Sequence, residues 1–427
     1  MAPNFQAPRG THDVLPGEHL WWHVVRAMEQ QALEYGWHRV QTPGFEDTAL
    51  FARTAGEGSD VVNKEMYTFA DRKGRSLTLR PENTAGVVRA IIENGLAAGP
   101  MPLRLWYAGP QFRYERPQAG RYREFRQIGA ELLGVAGPAA EVEILMMLFA
   151  FLKALGFQAL SVALNSVGTA RSREAFGEAL RAYLEPRAAD FGEDDRRKLS
   201  ENPLRLFDSR DPAVRAALEG SPRTLEYLDD ASRRHHDEVR RLLTRASIPF
   251  RDDPSLVRGL DYYTRTVFEV VSADLGAQDA ILGGGRYDNL VETLGGPALP
   301  AIGFAIGEDR LVQAAPRPAP EGGLLLVLPQ GPEDLEEALR LADELRAALP
   351  VPVEVDLLAR GFKKGMARGN ALFEEASARG LDGARIFAVL LGEREREAGS
   401  VTVKRLASAD QESVPRAEVV AWLKSRA

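Results

Sequence analysis

The chain has 427 residues, with 54 Lys and Arg against 61 Asp and Glu for a formal net charge of −7, and it contains no cysteine. That length is expected to hold two or three domains, each with its own core, and the absence of cysteine excludes disulfides, thiolate zinc sites and a cysteine nucleophile. The acidic balance argues against indiscriminate nucleic-acid binding but leaves a local basic groove open. No stretch is apolar for the roughly 18 residues of a membrane span; the longest, Ile144–Leu152, stops at Lys153. No basic segment followed by an apolar one opens the chain, so no secretory leader and a cytoplasmic location are expected.

Arg9–Gly17 begins with turn formers, and Leu20, Val24, Met28 and Leu33 then recur at helical spacing until Gly36. Val40–Pro43 reads as a short strand stopped by proline. Trp21, Trp22 and Trp37 cluster here, as packing residues or as a subunit interface. Met66–Phe69 and Ser76–Leu79 alternate like strands around the turn Asp71–Gly74. Pro81 ends the second strand, and Thr84 is placed to cap a helix starting near Ala85. Glu82 lies at the mouth of this transition, where a carboxylate either favours the helix N-terminus or grips a substrate ammonium; position alone favours the first.

Leu103–Gly109 and Gln127–Gly134 read as buried strands, and between them runs the hairpin Phe112–Gln127. Arg113, Arg116, Arg121, Arg123 and Arg126 are interleaved there with Tyr114, Tyr122 and Phe125, around Pro117 and Gly120. Guanidinium forks match phosphate oxygens and stack on rings, so the stretch suits a polyanion such as a nucleoside triphosphate. Taken by itself, it is as readily a solvated charged hairpin.

Glu141–Leu155 is apolar on most faces and closes with Gly156, as a buried helix would. Residues 170 to 246 are rich in Arg, Asp, Glu and Ala at helical spacing, and read as a helical module inserted into a larger domain. His235 and His236 are adjacent and point to different faces, with no neighbouring ligand set for a metal. Strand patterning returns over Leu256–Val271, interrupted by Arg258 and Gly259; a glycine there marks a bulge or a close approach by a ligand. Gly283–Asp288 lacks the spacing of a P-loop or a dinucleotide fingerprint, and reads as a permissive turn or as bare backbone against a flat ligand. Ala301–Leu311 gives a strand, then a helix carrying Arg310.

The Pro/Gly-rich segment Gln313–Gly323 is the clearest boundary. Beyond it the strands Leu324–Pro329, Val351–Leu357, Ile386–Leu391 and Val401–Lys404 alternate with helices over 333–348 and 364–379 and a closing helix, the pattern of a small α/β domain. The expected division is therefore residues 1–320, with the helical insertion at 170–250, and residues 321–427.

Arg80–Thr84, Phe112–Gln118 with Gly120–Phe125, Arg258–Tyr263, Gly283–Asp288 and Gly307–Arg310 occur in that order. Together they resemble the bacterial histidyl-tRNA synthetases, which are class II aminoacyl-tRNA synthetases. The resemblance runs from Arg9 to the C-terminal helix, and Arg258–Tyr263 is its most specific part. It implies an α+β catalytic domain, with an antiparallel sheet flanked by helices, followed by an α/β anticodon-binding domain. It also implies histidyl-adenylate formation from ATP and L-histidine, with transfer to tRNA(His), Mg²⁺ accompanying ATP, and a homodimer with Thr42–Pro43 near its interface.

By this resemblance Arg113 and Arg258 meet the α-phosphate as the catalytic cations. Arg121 reaches the outer phosphates, Phe125 and Arg310 sandwich the adenine, and Glu115 helps orient it. Glu82, Thr84 and Gln127 hold the histidine ammonium. Glu131 and Tyr263 bond the imidazole nitrogens, and Tyr262 lines that pocket. The helical insertion lies over the acceptor arm, and Arg360, Lys363, Lys364 and Arg368 meet tRNA phosphates or form a solvated helix face. Two positions depart from the common pattern: Arg126 stands where many relatives have histidine, and Asn83 where glycine is common. The alternative is the regulatory paralogue of ATP phosphoribosyltransferase, which binds histidine without charging tRNA. It typically lacks the extra domain and parts of the arginine set.

Overall fold

The computed structural model describes residues 5–15, 18–55, 64–115, 121–258, 262–273, 280–316, 323–378, 383–408 and 410–426. Arg116, Pro117 and Gly120 of the basic hairpin, and Gly259, lie outside them. The chain forms two units, Met1–Val14 with Leu20–Pro316, and Leu15–His19 with Arg317–Ala427. No helix among the described residues is long and apolar enough to cross a membrane.

The larger unit is built on an eight-stranded sheet in the order His38–Arg39, Leu103–Phe112, Glu124–Leu133, Ala301–Gly307, Ala280–Arg286, Thr264–Ser272, Leu160–Ser166, Phe250–Asp252. The six central strands are mutually antiparallel, and the two outermost strands pair in parallel with their neighbours. Directly opposed residues share a face of such a sheet. One face carries Ile128, Ala130, Leu132, Ile302, Phe304, Ile306, Phe268 and Val270. It is buried against the helices His19–Glu34, Ala139–Ala154 and Asp230–Arg245 in the main hydrophobic core. Helix Ala139–Ala154 lies in this core, which is why its sequence is apolar nearly all round.

The other face is unusually bare. Gln127 opposes Gly109 and Gly307, Glu131 opposes Gly303, Gly303 opposes Gly285, and Gly129 and Gly283 both oppose Ala305. Gly283–Gly285 is thus not a turn but the middle of the strand Ala280–Arg286. Its neighbours on both sides supply the ladder hydrogen bonds that override glycine's weak strand preference.

Other expectations shift for local reasons. The strand expected from Leu256 begins at Thr264, while Asn165 Nδ2 donates to the carbonyl of Leu256 at 2.8 Å and holds the preceding segment by side chain instead. The short strand expected at Val40–Pro43 is His38–Arg39, although Val40 N still donates to Trp106 O at 2.8 Å. The helix after Pro81 runs Thr84–Glu93 with Asn83 at its N-cap, and the Asn83 side chain makes no capping bond. Thr84 is therefore its first residue rather than its cap. A small sheet, Phe45–Asp47, Ser76–Leu79 and Tyr67–Ala70, contains the expected hairpin, with Phe69 opposite Leu77 and the turn closed by Gly74 N donating to Asp71 O.

The helical insertion leaves the sheet after Leu160–Ser166 and returns as the edge strand Phe250–Asp252. Its first helices have their own core of Phe176, Leu180, Leu184, Leu199, Leu206 and Val214. Its last helix, Asp230–Arg245, instead packs Val239 and Leu243 into the main core. Trp21 and Trp37 are buried, whereas Trp22 is exposed.

The smaller unit has a five-stranded sheet in the order Val353–Val355, Leu324–Pro329, Ile386–Leu391, Ser400–Arg405, Gln411–Pro415, the first three parallel and the rest antiparallel. Gln411–Pro415 was not among the expected strands; its register with Ser400–Arg405 makes it the exposed edge. The unbroken apolar run Leu324–Leu328 is explained by burial on both faces. Leu325 and Val327 pack with helix Leu335–Ala348, while Leu324, Leu326 and Leu328 pack with helix Phe362–Ala378.

Candidate active site

Five glycines on the bare face, Gly109, Gly129, Gly283, Gly285 and Gly303, each make room for a particular side chain. A Cβ at Gly109 would stand 2.8 Å from the Arg80 guanidinium, and one at Gly285 would stand 2.8 Å from the Tyr263 ring. At Gly129 it would meet the Tyr107 hydroxyl, at Gly283 the Arg258 guanidinium, and at Gly303 the Glu131 carboxylate. Polar side chains thus lie flat across a floor that ordinary residues would fill. The sequence showed the glycines, but assigning each one a neighbour needed the register.

The residues expected to bind an amino acid gather at one end of this floor. Glu131 is fully buried; its Oε1 accepts from Thr84 Oγ1 at 2.9 Å and from Tyr107 OH at 3.1 Å, and its Oε2 accepts from Tyr287 OH. The Tyr262 ring lies 4.8 Å from that of Tyr263 and 5.6 Å from that of Tyr287. Burial pushes Glu131 up to about 8, against the lowering effect of the hydroxyls that surround it. Burial also raises Tyr107, Tyr262, Tyr263 and Tyr287, so these phenols stay neutral. Tyr107 and Tyr287 were not singled out from the sequence: Tyr107 falls in a run that reads as a buried strand, and Tyr287 in Gly283–Asp288, which reads as a turn or as backbone against a flat ligand.

Glu82 accepts from the backbone N–H groups of Thr84, at 2.6 Å, and Ala85, at 3.0 Å. Its carboxylate therefore does serve the helix N-terminus; burial raises its pKa, and those two N–H groups and Arg113 work the other way. Asn83 accepts from Thr42 Oγ1 at 2.8 Å. Gln127 lies on the floor in line with Glu131, and its Oε1 is buried without a hydrogen-bond partner.

The arginines occupy separate places. Arg113 Nε donates to Pro81 O at 2.9 Å, and its guanidinium lies 5.4 Å from the centre of the Phe125 ring. An adenine stacked on Phe125 must take the opposite ring face or displace Arg113. Arg121, more than half exposed, pairs with Glu115 at 3.4 Å. Arg258 Nη1 pairs with Glu269 at 2.8 Å, and Arg310 adds its positive field at Glu269 from helix Glu308–Ala314. Arg126 pairs with buried Glu308 at 3.0 Å, and burial holds Glu308 up at about 7 against that cation.

Arg286 has a structural position. It is fully buried and grips Glu141 through Nε at 2.9 Å and Nη2 at 2.6 Å, while His235 Nε2 lies 2.6 Å and Thr266 Oγ1 3.0 Å from the same carboxylate. Burial opposes ionisation of Glu141, but the bonds from His235 and Arg286 prevail and hold it down at about 2. His236 lies 3.2 Å from a different carboxylate, Asp252. No group of three or more His, Asp or Glu suited to a metal occurs among the described residues. In the smaller unit Arg360 is tied to Asp356 at 2.8 Å and Arg368 to Glu375 at 3.2 Å, whereas Lys363 and Lys364 are exposed.

A family model described as histidyl-tRNA synthetase matches residues 10–311, well over half of the chain. The chain belongs to that family. A second model, described as an anticodon binding domain, matches residues 325–426. The histidine–tRNA ligase of Thermosynechococcus vestitus is 46% identical over 419 residues, covering 97% of this chain and 95% of the relative. That of Synechocystis sp. is 46% identical, covering 96% and 90%. Among solved structures, apo histidyl-tRNA synthetase of S. aureus aligns with a TM-score of 0.78 and 32% identity over 99% of this chain and all of that one. A Bacillus halodurans protein described as an ATP phosphoribosyltransferase regulatory subunit/histidyl-tRNA synthetase aligns with a TM-score of 0.64 and 25% identity, over 85% of this chain and 96% of that one.

Proposed function

We propose that the protein activates L-histidine with ATP to histidyl-adenylate on the glycine floor and then transfers the histidyl group to tRNA(His). Family membership carries histidine–tRNA ligase activity and the use of ATP. What supports the assignment of individual residues is the arrangement of a buried, uncharged hydrogen-bonding pocket next to guanidinium groups on one bare sheet face. In the reaction the histidine carboxylate attacks the α-phosphorus and pyrophosphate leaves, so charge builds on phosphate oxygens and is met by fixed cations.

Arg113 and Arg258 are the cations for the α-phosphate in this reading, acting electrostatically. Their acidic or carbonyl partners aim them before substrate arrives. Arg121, released from Glu115, takes the outer phosphates. Phe125 and Arg310 take the adenine, and Glu115 helps orient it. Mg²⁺ travels with the triphosphate and needs only one or two protein carboxylates; Glu115 and Glu269, each paired to one of these arginines, can supply an oxygen.

Glu82, Thr84 and Gln127 receive the α-ammonium; the unpartnered Gln127 Oε1 is an acceptor of the kind it requires. Glu131 and Tyr263 bond the imidazole nitrogens beside Tyr262. A side chain without those nitrogens would leave buried polar groups unpaired, at about 1–3 kcal/mol each. The C-terminal unit meets the anticodon arm, with Lys363 and Lys364 as phosphate contacts. A homodimer fits the exposed apolar residues Trp22, Leu33, Phe45 and Phe69, and the location is cytoplasmic. The regulatory-paralogue alternative is disfavoured by the match to the anticodon binding domain. Charging of tRNA with labelled histidine tests the proposal: ATP-dependent acid-precipitable label is expected, and its absence with active, folded protein would reject the reading.

A further inference from the structure

Residues 256–258 and 262–263 carry Arg258, Tyr262 and Tyr263, and none of them belongs to a strand; the sheet resumes at Thr264. Both ends of this segment are gripped at the root of the helical insertion. At the first end, Asn165 is fully buried on strand Leu160–Ser166 and donates through Nδ2 to Leu256 O at 2.8 Å. Its Oδ1 accepts from Thr224 Oγ1 of the insertion at 3.0 Å. At the second end, Arg173, in the first turn of helix Ala170–Leu184, donates through Nη1 to the backbone oxygen of Tyr263. Arg265 then exchanges backbone bonds with the stalk of the insertion: Val167 N donates to Arg265 O and Arg265 N to Gly168 O, each at 2.8 Å. These bonds hold Arg265 at a φ of +50°, a conformation that residues other than glycine rarely adopt. Leu256 and Tyr263 share one apolar cluster with Ala163, Val167 and Val267, so the two ends meet. A single carboxylate locks the root itself. Asp229 accepts from Thr169 Oγ1 at 2.7 Å and Ser172 Oγ at 3.1 Å, where the insertion's first helix starts, and from Ser232 N at 2.8 Å in its last helix.

We propose that Asn165 and Arg173 are positioning residues for histidine activation, Asn165 setting the place of Arg258 and Arg173 that of Tyr263. The inference rests on the histidine–tRNA ligase reading, with Arg258 at the α-phosphate and Tyr263 at the imidazole, and adds what aims them. Each positioning side chain acts through another residue and has no substrate contact of its own. Backbone outside a ladder keeps conformational freedom that binding would otherwise have to remove, and a displacement of about 1 Å at a reacting group can cost a hundredfold in rate. Fixing the carbonyls of Leu256 and Tyr263 removes that freedom before histidine arrives. The two ends serve different steps. A shift at Tyr263 weakens the bond to the imidazole, and with it histidine binding. A shift at Arg258 weakens the cation that meets charge building on the α-phosphate, and with it the rate.

Arg173→Met removes the donor to Tyr263 O and keeps an apolar stem. In histidine-dependent ATP–pyrophosphate exchange it should raise the histidine KM about tenfold and leave the ATP KM within about twofold of the parent. Tyr263→Phe removes the hydroxyl and keeps the carbonyl that Arg173 holds. If Arg173 acts through Tyr263, the double variant should be little worse than the single ones, whereas independent effects multiply. A parental histidine KM in Arg173→Met, multiplied effects in the double variant, or equal rises in both KM values overturns the proposal. At the other end, Asn165→Asp keeps the acceptor for Thr224 and loses the donor to Leu256 O. Its kcat for exchange should fall about tenfold; if that variant does not fold, Thr224→Val removes the insertion's half of the bridge and should lower kcat in the same direction. A parental kcat in the folded variant overturns the role of Asn165. A parental histidine KM in Tyr263→Phe alone would refute the imidazole assignment, and no exchange by the parent chain would refute the ligase reading.

Discussion

At the scale of single residues, Glu131 has the least ordinary chemistry. A carboxyl held at about 8 is neutral at pH 7 and can donate to an unprotonated imidazole nitrogen. Above that value the enzyme has lost the shared proton; below about 6.5 free histidine arrives with an extra one. The histidine KM should therefore pass through a minimum between these limits. Glu131→Gln, whose amide always donates, should abolish the alkaline rise, and an unchanged alkaline limb in the variant would contradict this role. Stability follows the same titration. The fold raises this group above its ordinary 4.5, so the folded chain binds more protons than the unfolded one between the two values. Its contribution is full below 4.5 and lost as pH rises through about 8. Thermal scans from pH 5 to 9 should show that loss in the parent and less of it in Glu131→Gln.

At the scale of elements, the strands matter for what they omit. Gly303→Ala would drive a methyl into the Glu131 carboxylate, and Gly283→Ala would do the same to the Arg258 guanidinium. Overpacking of this kind costs about 1–3 kcal/mol, but its functional signature should differ by position. Gly303→Ala is expected chiefly to raise the histidine KM, and Gly283→Ala chiefly to lower kcat for adenylate formation; identical profiles would contradict the separate assignments. Arg286, one residue beyond the glycines, is buried with Glu141 and His235. Truncating one partner of a buried pair costs about 3–5 kcal/mol, so Arg286→Leu should lower the denaturation midpoint strongly even in the absence of substrates.

The sequence made the elements legible where an unbroken apolar run had the length of a helix or a strand, as in helix Ala139–Ala154 and the runs Leu324–Pro329 and Ile386–Leu391. It misled at Gly283–Gly285, where neighbouring strands impose a conformation the local residues do not favour. The candidate site was legible through the order of its motifs. The hydroxyls of Tyr107 and Tyr287 were not, because nothing local distinguishes a phenol aimed at a buried carboxyl from one that only packs.

At the scale of the whole molecule, the two units have separate cores, and the division of labour proposed for them can be tested by separating them. Removing residues 323–427 should leave adenylate formation largely intact while tRNA charging falls sharply; equal losses of both would mean that the smaller unit supports the catalytic sheet rather than tRNA recognition. In the larger unit, the pocket proposed for histidine and the arginines proposed for the phosphates share one bare sheet face. Pyrophosphate exchange into ATP by the purified chain tests this central proposal most directly. Exchange is expected with L-histidine and not with other amino acids of similar size; exchange without histidine, or none with it, would contradict the account.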